Sequence, residues 1–183
     1  MIDLLELQKK FILSHLSAGD AAADFTMGNG HDTVFLSQTV GESGHVFAFD
    51  IQEKAINSAR ENLRASGCPE NYTLIHDSHH NAAKYIDRPI KAGMFNLGYL
   101  PSGDKSITTK RETTLEALSC AISLTDKDAV LTVAVYPGHA EGEIEGNLVC
   151  EYLATLPRFQ ICATRINILN SPTSPYFIVI ETK

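Results

Sequence analysis

A glycine-rich turn and three aspartates have the types and spacing that suit the binding of a nucleoside. Gly28 and Gly30 follow a short apolar run, and without a Cβ they let the backbone turn sharply and approach a ligand. Asp24 ends that run. Asp50 ends the next predicted strand, where a carboxylate can accept both hydroxyl hydrogens of a ribose, and Asp77 follows the third, placed to meet an adenine amino group. The turn alone often marks only a change of direction, but three strand-end carboxylates facing one crevice predict a nucleoside site.

The residues around the turn distinguish among nucleotide ligands. A dinucleotide-binding turn needs a third glycine for close helix packing, and Thr33 stands at that position. Asp24 and Asp32 flank the turn, which is unfavourable for a pyrophosphate but suits a cationic sulfonium or an amino-acid ammonium. The sequence also lacks the lysine motif of a P-loop. S-adenosylmethionine therefore fits these residues better than NAD or ATP.

The end of the fourth predicted strand carries residues that suit methylation of an amine. Transfer from sulfonium to nitrogen needs a free lone pair aligned with the S–CH₃ bond. The carbonyl of the Asn96 side chain can accept an amine hydrogen and aim that lone pair, while Tyr99 can stack on a flipped-out base. Residues 93–104 contain no cysteine, which disfavours carbon methylation by covalent catalysis and leaves amine or oxygen methylation. The alternative is that Asn96 caps a turn and Tyr99 covers the core.

These residues need a scaffold that brings several strand ends to one edge, and the hydrophobic pattern predicts one. Short apolar runs alternate with helical patterns, which is typical of a parallel sheet covered by helices. The predicted strands are 21–26, 45–50, 72–76, 91–96, 129–136, 159–168 and 176–181, the last two forming an antiparallel pair. The predicted helices are 3–17, 32–40, 53–66, 81–86, 108–124 and 143–155. We expect one α/β, doubly wound domain over residues 1–183.

Several stretches of the chain carry a resemblance to a known family. Residues 24–30 resemble motif I of the class I S-adenosylmethionine-dependent methyltransferases, with Asp50 and Asp77 as the acids of motifs II and III. Residues 26–32 (TMGNGHD), 95–101 (FNLGYLP) and 136–139 (YPGH) together resemble the rRNA methylase subfamily of that class, which is associated with modification of the tRNA wobble uridine. Amino-methylating relatives carry two prolines where this chain has Leu97 and Gly98.

The resemblance implies a fold, a cofactor and an activity. The fold is a Rossmann-like class I methyltransferase, with a seven-stranded, mostly parallel sheet of order 3-2-1-4-5-7-6 and helices on both faces. The implied activity is transfer of a methyl group from S-adenosyl-L-methionine to the aminomethyl nitrogen of 5-aminomethyl-(2-thio)uridine at the tRNA wobble position. The alternatives are a methyltransferase of rRNA or of a small-molecule amine, and a non-catalytic RNA-binding or complex-forming protein that retains the fold.

The predicted site residues fall into three groups. The cofactor-binding residues are Asp24, Thr26, Gly28, Asn29, Gly30, Asp32, Asp50, Gln52, Asp77, Ser78, His79 and Asn96. The catalytic residues are Asn96, Tyr99 and His139, with Asp77 and His139 as candidates for a general base. The substrate-binding residues are Leu97, Gly98, Tyr99, Pro101, Lys105, Lys110 and Arg111, the last three as phosphate contacts or as an ordinary solvated helix start. His76, His79 and His80 lack a further ligand, so we predict no metal site.

The charge and composition of the chain limit the kinds of partner that the protein can bind. The 183 residues carry 15 Lys and Arg against 22 Asp and Glu, and the net charge of −7 argues against a general nucleic-acid binder. Residues 84–111 nevertheless hold six Lys and Arg against two Asp, so we expect a local contact with the anticodon region of tRNA, and a homodimer stays open. The acidic N-terminal residues, the scattered cysteines and the lack of a long apolar window predict a cytoplasmic protein with reduced thiols and no membrane span.

Overall fold

The computed structural model describes residues 3–98, 111–138 and 140–183, and only the backbone of Arg111, Glu112 and Ala140. The helices are α1 (Leu4–Leu13), α2 (His31–Val40), α3 (Glu53–Ala65), α4 (Arg111–Ser123) and α5 (Ala140–Ala154). The strands are β1 (Ala21–Asp24), β2 (His45–Asp50), β3 (Tyr72–His76), β4 (Ile90–Asn96), β5 (Thr125–Val135), β6 (Ile161–Ile166) and β7 (Tyr176–Thr182). A 3₁₀ helix, His79–Lys84, lies between β3 and β4.

The seven strands form one sheet in the order β3-β2-β1-β4-β5-β7-β6, which confirms the predicted fold class. Strands β1 to β5 pair in parallel, whereas β7 runs antiparallel to both β5 and β6. Because β1 to β5 share one direction, their carboxyl ends meet at one edge of the sheet. That edge is where open α/β sheets bind ligands.

Helices cover both faces of the sheet. On one face, α1 and α2 pack against β1, β4, β5 and β7 through a cluster that includes Ile12, Leu36 and Met94. On the other face, α4 and α5 pack over residues that include the stacked rings of Phe25 and Phe95, whose centroids lie 4.3 Å apart. Strand β1 is buried along its whole length, which suits its alanines because helices approach it from both sides.

Most element boundaries differ from the predicted ones by a few residues, and three of the differences have a clear local reason. Helix α1 ends at Leu13, where the N–H of Ser14 closes the last turn on the Lys10 and Phe11 carbonyls. The predicted helix over 81–86 is a 3₁₀ turn that begins at His79. Strand β5 begins at Thr125, and its pairing with β4 is irregular around Asp128, which adopts a φ of +52°. Hydrophobic periodicity does not register such irregular pairing.

Candidate active site

The turn after β1 is tied to the end of β2 by hydrogen bonds. The N–H of Gly28 donates to Oδ2 of Asp50 at 3.0 Å, and the N–H of Gln52 donates to Oδ1 at 2.9 Å. The N–H of Met27 donates to the Phe49 carbonyl at 2.9 Å. Burial raises the pKa of Asp50, and the N–H donors offset part of that rise. The structure therefore brings the Asp50 carboxylate directly against the glycine turn.

Helix α3 packs against the glycine turn that follows β1. Gly30 precedes α2 with a φ of +82°, a left-handed conformation that L side chains rarely adopt. A Cβ added to Gly30 would lie 2.8 Å from both Cα and Cβ of Ala59, so the turn and α3 are in direct contact. The Asn62 side chain also donates from Nδ2 to the carbonyl of Asn29 at 3.2 Å. Glycine at position 30 is thus required by conformation and by packing.

The Asp24 carboxylate lies beneath the turn and is fully buried. Its Oδ2 accepts a 2.6 Å hydrogen bond from the Thr33 hydroxyl, and its Oδ1 accepts a 3.2 Å bond from the N–H of Thr26. Burial, followed by repulsion from Asp32, raises the pKa of Asp24 to about 7. Sequence reasoning used Thr33 only as a missing glycine and did not find its role as partner to Asp24. Thr33 lies about one helical turn after Gly30, and this spacing is the signal that could have identified it as a residue of the site.

Asn96 is held at the end of β4 by two hydrogen bonds. Its N–H donates to the Thr26 hydroxyl oxygen at 2.6 Å, and its Nδ2 donates to Oδ2 of Asp32 at 2.5 Å. Burial raises the pKa of Asp32, while the bond from Asn96 and then the charge of Lys9 lower it. The predicted acceptor-positioning residue and the turn that follows β1 are therefore adjacent.

Asp77 follows β3 and has a different environment from the other strand-end acids. It accepts hydrogen bonds from the Tyr85 hydroxyl at 2.8 Å, from the N–H of Ser78 at 2.7 Å and from Nδ2 of Asn81 at 3.0 Å. The Tyr85 bond is the main cause that lowers the pKa of Asp77. Tyr85 was not found from the sequence, since it lies outside every motif. Asp77 is an ionised hydrogen-bond acceptor, which suits an amino group.

His79 lies below the site surface, with only 8% of its area exposed. Its Nδ1 donates to the Phe25 carbonyl at 2.9 Å, and burial lowers the pKa of His79. The neighbouring His80 contacts the Ser78 hydroxyl instead, with Nδ1 2.8 Å from Oγ. In the described ranges, no group of three His, Cys, Asp or Glu residues is arranged to hold a metal ion. His79 therefore supports the end of β1, and only its edge is open to a ligand.

The residues after β4 are described only in part. The Leu97 side chain is 2% exposed and packs in the core, and its N–H donates to the Ala134 carbonyl at 2.9 Å. Leu97 as a whole therefore belongs to the core and has almost no surface open to a ligand. Gly98 follows with a φ of +146°. Five of the predicted catalytic and substrate-binding residues lie outside the described residues, and so does the Arg111 side chain. The five are Tyr99, Pro101, Lys105, Lys110 and His139.

A cleft of about 470 Å³ opens beside Tyr136, directly after β5. Tyr136 is half-buried, and its pKa is raised by burial and by the charge of Asp32. The other wall comes from the start of α1, and most of the lining is apolar. The lining residues are Asp3, Leu4, Leu5, Gln8, Ala134, Tyr136, Ile168, Ser174, Pro175, Tyr176 and Phe177. The sequence did not predict this cleft, because α1 and β7 are distant from β5 along the chain.

The sheet order, the glycine turn and the strand-end acids define the class of the protein. The raised pKa values of Asp24, Asp32 and Asp50 show an excess of buried acid, which suits a ligand that carries a sulfonium and an ammonium. The fold and this site are those of a class I methyltransferase that uses S-adenosylmethionine.

Comparisons with known proteins give the family. The model of the family described as "Putative rRNA methylase" matches residues 46–181, and the chain belongs to this family. A crystal structure of the Clostridium thermocellum "putative rRNA-methylase" is 41% identical and superposes with a TM-score of 0.97, covering 100% of this chain and 99% of that one. A "putative methyltransferase" of Streptococcus mutans, solved in complex with SAH, is 34% identical with a TM-score of 0.91, covering 100% and 99%.

A curated relative comes from Arabidopsis thaliana and is named tRNA (mnm(5)s(2)U34)-methyltransferase, chloroplastic. It is 34% identical over 173 residues, which are 89% of this chain and 63% of that protein. The chain therefore spans less than two thirds of that relative's length. None of the helices in the described ranges has the length and apolar character of a membrane span.

Proposed function

We propose that the chain methylates the aminomethyl nitrogen of 5-aminomethyl-(2-thio)uridine at the wobble position of tRNA. The observation that carries the proposal is Asn96, which is fixed at the end of β4 by Thr26 and Asp32 beside the cofactor turn. A carboxamide held there offers a carbonyl oxygen to an amine hydrogen, so the lone pair can be aimed. The name of the Arabidopsis relative supports the choice of nucleotide.

The cofactor would be held by residues at three strand ends. Asp50 would accept the ribose hydroxyls and Asp77 the adenine amino group, while the main chain of the turn from Gly28 to Gly30 would lie against the amino-acid portion. When bound, S-adenosylmethionine supplies a methyl group whose bond to sulfur breaks as its bond to the acceptor nitrogen forms. The buried acids Asp24 and Asp32 would balance the positive charge of that ligand.

The acceptor amine must lose a proton before it attacks. An unperturbed aliphatic amine has a pKa of roughly 10.4, and removal from water lowers it. Asp77 is a poor general base, because its hydrogen bond from Tyr85 holds its pKa below the ordinary value. We therefore assign deprotonation to desolvation of the amine, with the proton leaving to solvent.

The RNA contact would come from the basic segment that surrounds the acceptor site. Residues 84–111 carry an excess of four positive charges in an otherwise acidic chain, six Lys and Arg against two Asp. Lys105, Lys110 and Arg111 would contact phosphates beside the reacting base in the anticodon region.

The apolar cleft beside Tyr136 favours a second candidate. Its volume of about 470 Å³ is within the range of small-molecule sites, so a free amine of low molecular mass could be the acceptor. This candidate keeps the cofactor site and changes only the substrate.

The test is a methylation assay on defined tRNA. The protein and S-adenosylmethionine are incubated with tRNA that bears 5-aminomethyluridine, the RNA is digested, and the nucleosides are analysed by mass spectrometry. We expect a gain of one methyl on the modified uridine, and none on the same tRNA without the aminomethyl group. Asp128→Asn, a change at an exposed residue near the start of β5 and outside residues 84–111, serves as the active control, and Asn96→Ala should lose product.

Two results would reject the proposal. Product on another RNA or on a metabolite, with none on this tRNA, would assign a different acceptor. A failure to bind S-adenosylmethionine by calorimetry would support a non-catalytic protein that retains the fold.

A further inference from the structure

The carboxamide of Asn96 is the meeting point of three elements. Its backbone belongs to the end of β4, its N–H bonds to Thr26 in the turn after β1, and its Nδ2 bonds to Asp32 in the first turn of α2. The two hydrogen bonds measure 2.6 and 2.5 Å, which is short for bonds from nitrogen to oxygen. The position and the rotation of the side chain are therefore both constrained.

The chemistry of the Asp32 contact fixes which end of the carboxamide points outward. An ionised carboxylate only accepts hydrogen bonds, so the atom that faces Asp32 must be the amide nitrogen. The amide oxygen is then turned to the opposite side. An acceptor amine needs that oxygen, because an amide N–H in the same place would bond to the lone pair that has to attack.

We propose that Asp32 is a positioning residue, which holds the Asn96 carboxamide with its oxygen facing the acceptor amine. This inference rests on the proposed function, since it assumes an amine acceptor. It gives Asp32 a role in the alignment of the acceptor, separate from any contact with the cofactor.

The charged neighbours of Asp32 are consistent with an ionised state. Asp24 of β1 repels the Asp32 carboxylate, whereas Lys9 of α1 and His31 of α2 stabilise its charge. The charge of Asp32 in turn raises the pKa of Tyr136, which follows β5. Asp24 is fully buried, and burial raises its pKa to about 7, whereas Asp32 is only partly buried. A protonated Asp32 would instead donate to the amide and allow the carboxamide to turn, so alignment requires the ionised form.

The kinetic test compares Asp32→Asn, Asp32→Glu and the control Asp128→Asn, at an exposed residue outside the site and outside residues 84–111. The new amide in Asp32→Asn can either donate or accept, so Asn96 loses its fixed orientation, and kcat should fall at least about tenfold. Because the charge of Asp32 also favours the cationic cofactor, the dissociation constant for S-adenosylmethionine should rise, but by a smaller factor than the fall in kcat. Asp32→Glu should recover part of kcat because it keeps an acceptor-only group. The acceptor amine must be deprotonated in every variant, so kcat should fall at acidic pH in all of them, and Asp32→Asn should lose only the additional fall that protonation of Asp32 causes.

The second readout is independent of the acceptor. In ¹⁵N-labelled protein, the side-chain NH₂ signal of Asn96, assigned by its loss in Asn96→Ala, should titrate with pH in the wild type. That titration should be absent in Asp32→Asn and unchanged in Asp128→Asn. An unchanged titration in Asp32→Asn, an unchanged kcat, or a parallel loss of kcat and cofactor affinity would each overturn the inference. If wild-type protein yields no product on the aminomethyl tRNA, the proposed function fails, and the NMR result decides the orientation of Asn96 by itself.

Discussion

Replacing Gly30 by alanine tests whether the cofactor turn depends on its contact with α3. Gly30 and Gly67 both adopt positive φ, +82° and +64°, so alanine is strained at each position. The two positions differ in the space that is available for an added Cβ. A Cβ at Gly30 would lie 2.8 Å from two carbon atoms of Ala59, whereas a Cβ at Gly67 would meet nothing within 4 Å. Gly67→Ala is therefore a matched control for backbone strain.

The expected losses of stability follow from the backbone strain, which both variants share, and from the contact with Ala59, which only Gly30→Ala makes. The left-handed conformation costs an L residue about 1–2 kcal/mol, and this loss is common to both variants. The contact at Gly30 involves the main chain and Cβ of Ala59, which cannot rotate away, so α2 and α3 must separate. Such overpacking costs roughly 1–3 kcal/mol more. For a protein of this size the additional loss corresponds to a further decrease in Tm of about 2–12 °C.

The assays are thermal unfolding by circular dichroism and calorimetric titration with S-adenosylmethionine. Gly30→Ala should unfold at a lower temperature than Gly67→Ala. It should also bind the cofactor at least about tenfold more weakly, because a turn moved out of place loses its alignment with the ligand. Gly67→Ala should bind with wild-type affinity. Equal losses of Tm and unchanged affinity in both variants would refute the role given to the contact with Ala59.

Three other perturbations probe the acids and the basic segment. Because the pKa of Asp24 is raised from 3.8 to about 7, the folded state binds a proton that the unfolded chain has lost, so stability should fall as pH rises through that range. Asp24→Asn should remove this loss, which amounts to about 3 kcal/mol between pH 5 and pH 8, in denaturant unfolding at those two pH values. Asp50→Ala should weaken cofactor binding in calorimetry, since the turn N–H of Gly28 loses its acceptor. Lys105→Ala and Lys110→Ala should each reduce the salt dependence of tRNA binding by about one ion, measured by filter binding across salt concentrations.

The sheet could be predicted from the sequence because its evidence is local. Apolar runs such as 45–50 and 72–76 are bounded by polar residues, and both strands have the predicted limits. The strand order was expected from the family resemblance, and the structure confirms it. The start of β5 could not be predicted, because Asp128 interrupts the pairing with β4 and carries no apolar signal.

The site could be predicted as a set of strand ends but not as a network. The sequence singled out Asp32 and Asn96 separately, and their hydrogen bond depends on how α2 packs against β4. Thr33 and Tyr85 were missed because each acts through a hydrogen bond to an acid on another element. Thr33 donates to Asp24, and Tyr85 donates to Asp77. Pairing between elements is a tertiary property, and spacing along the chain does not contain it.

The acids of the site also explain how the protein can bind a cofactor that carries two cationic groups, the sulfonium and the ammonium. Burial raises the pKa values of Asp24, Asp32 and Asp50, so each of these carboxylates destabilises the free protein at neutral pH. A sulfonium or an amino-acid ammonium that arrives beside them stabilises their ionised forms, and part of the lost folding free energy is then recovered as binding free energy. The negative charge is thus concentrated where cations must bind. The proposed contact with RNA phosphates would use the separate excess of positive charge in residues 84–111.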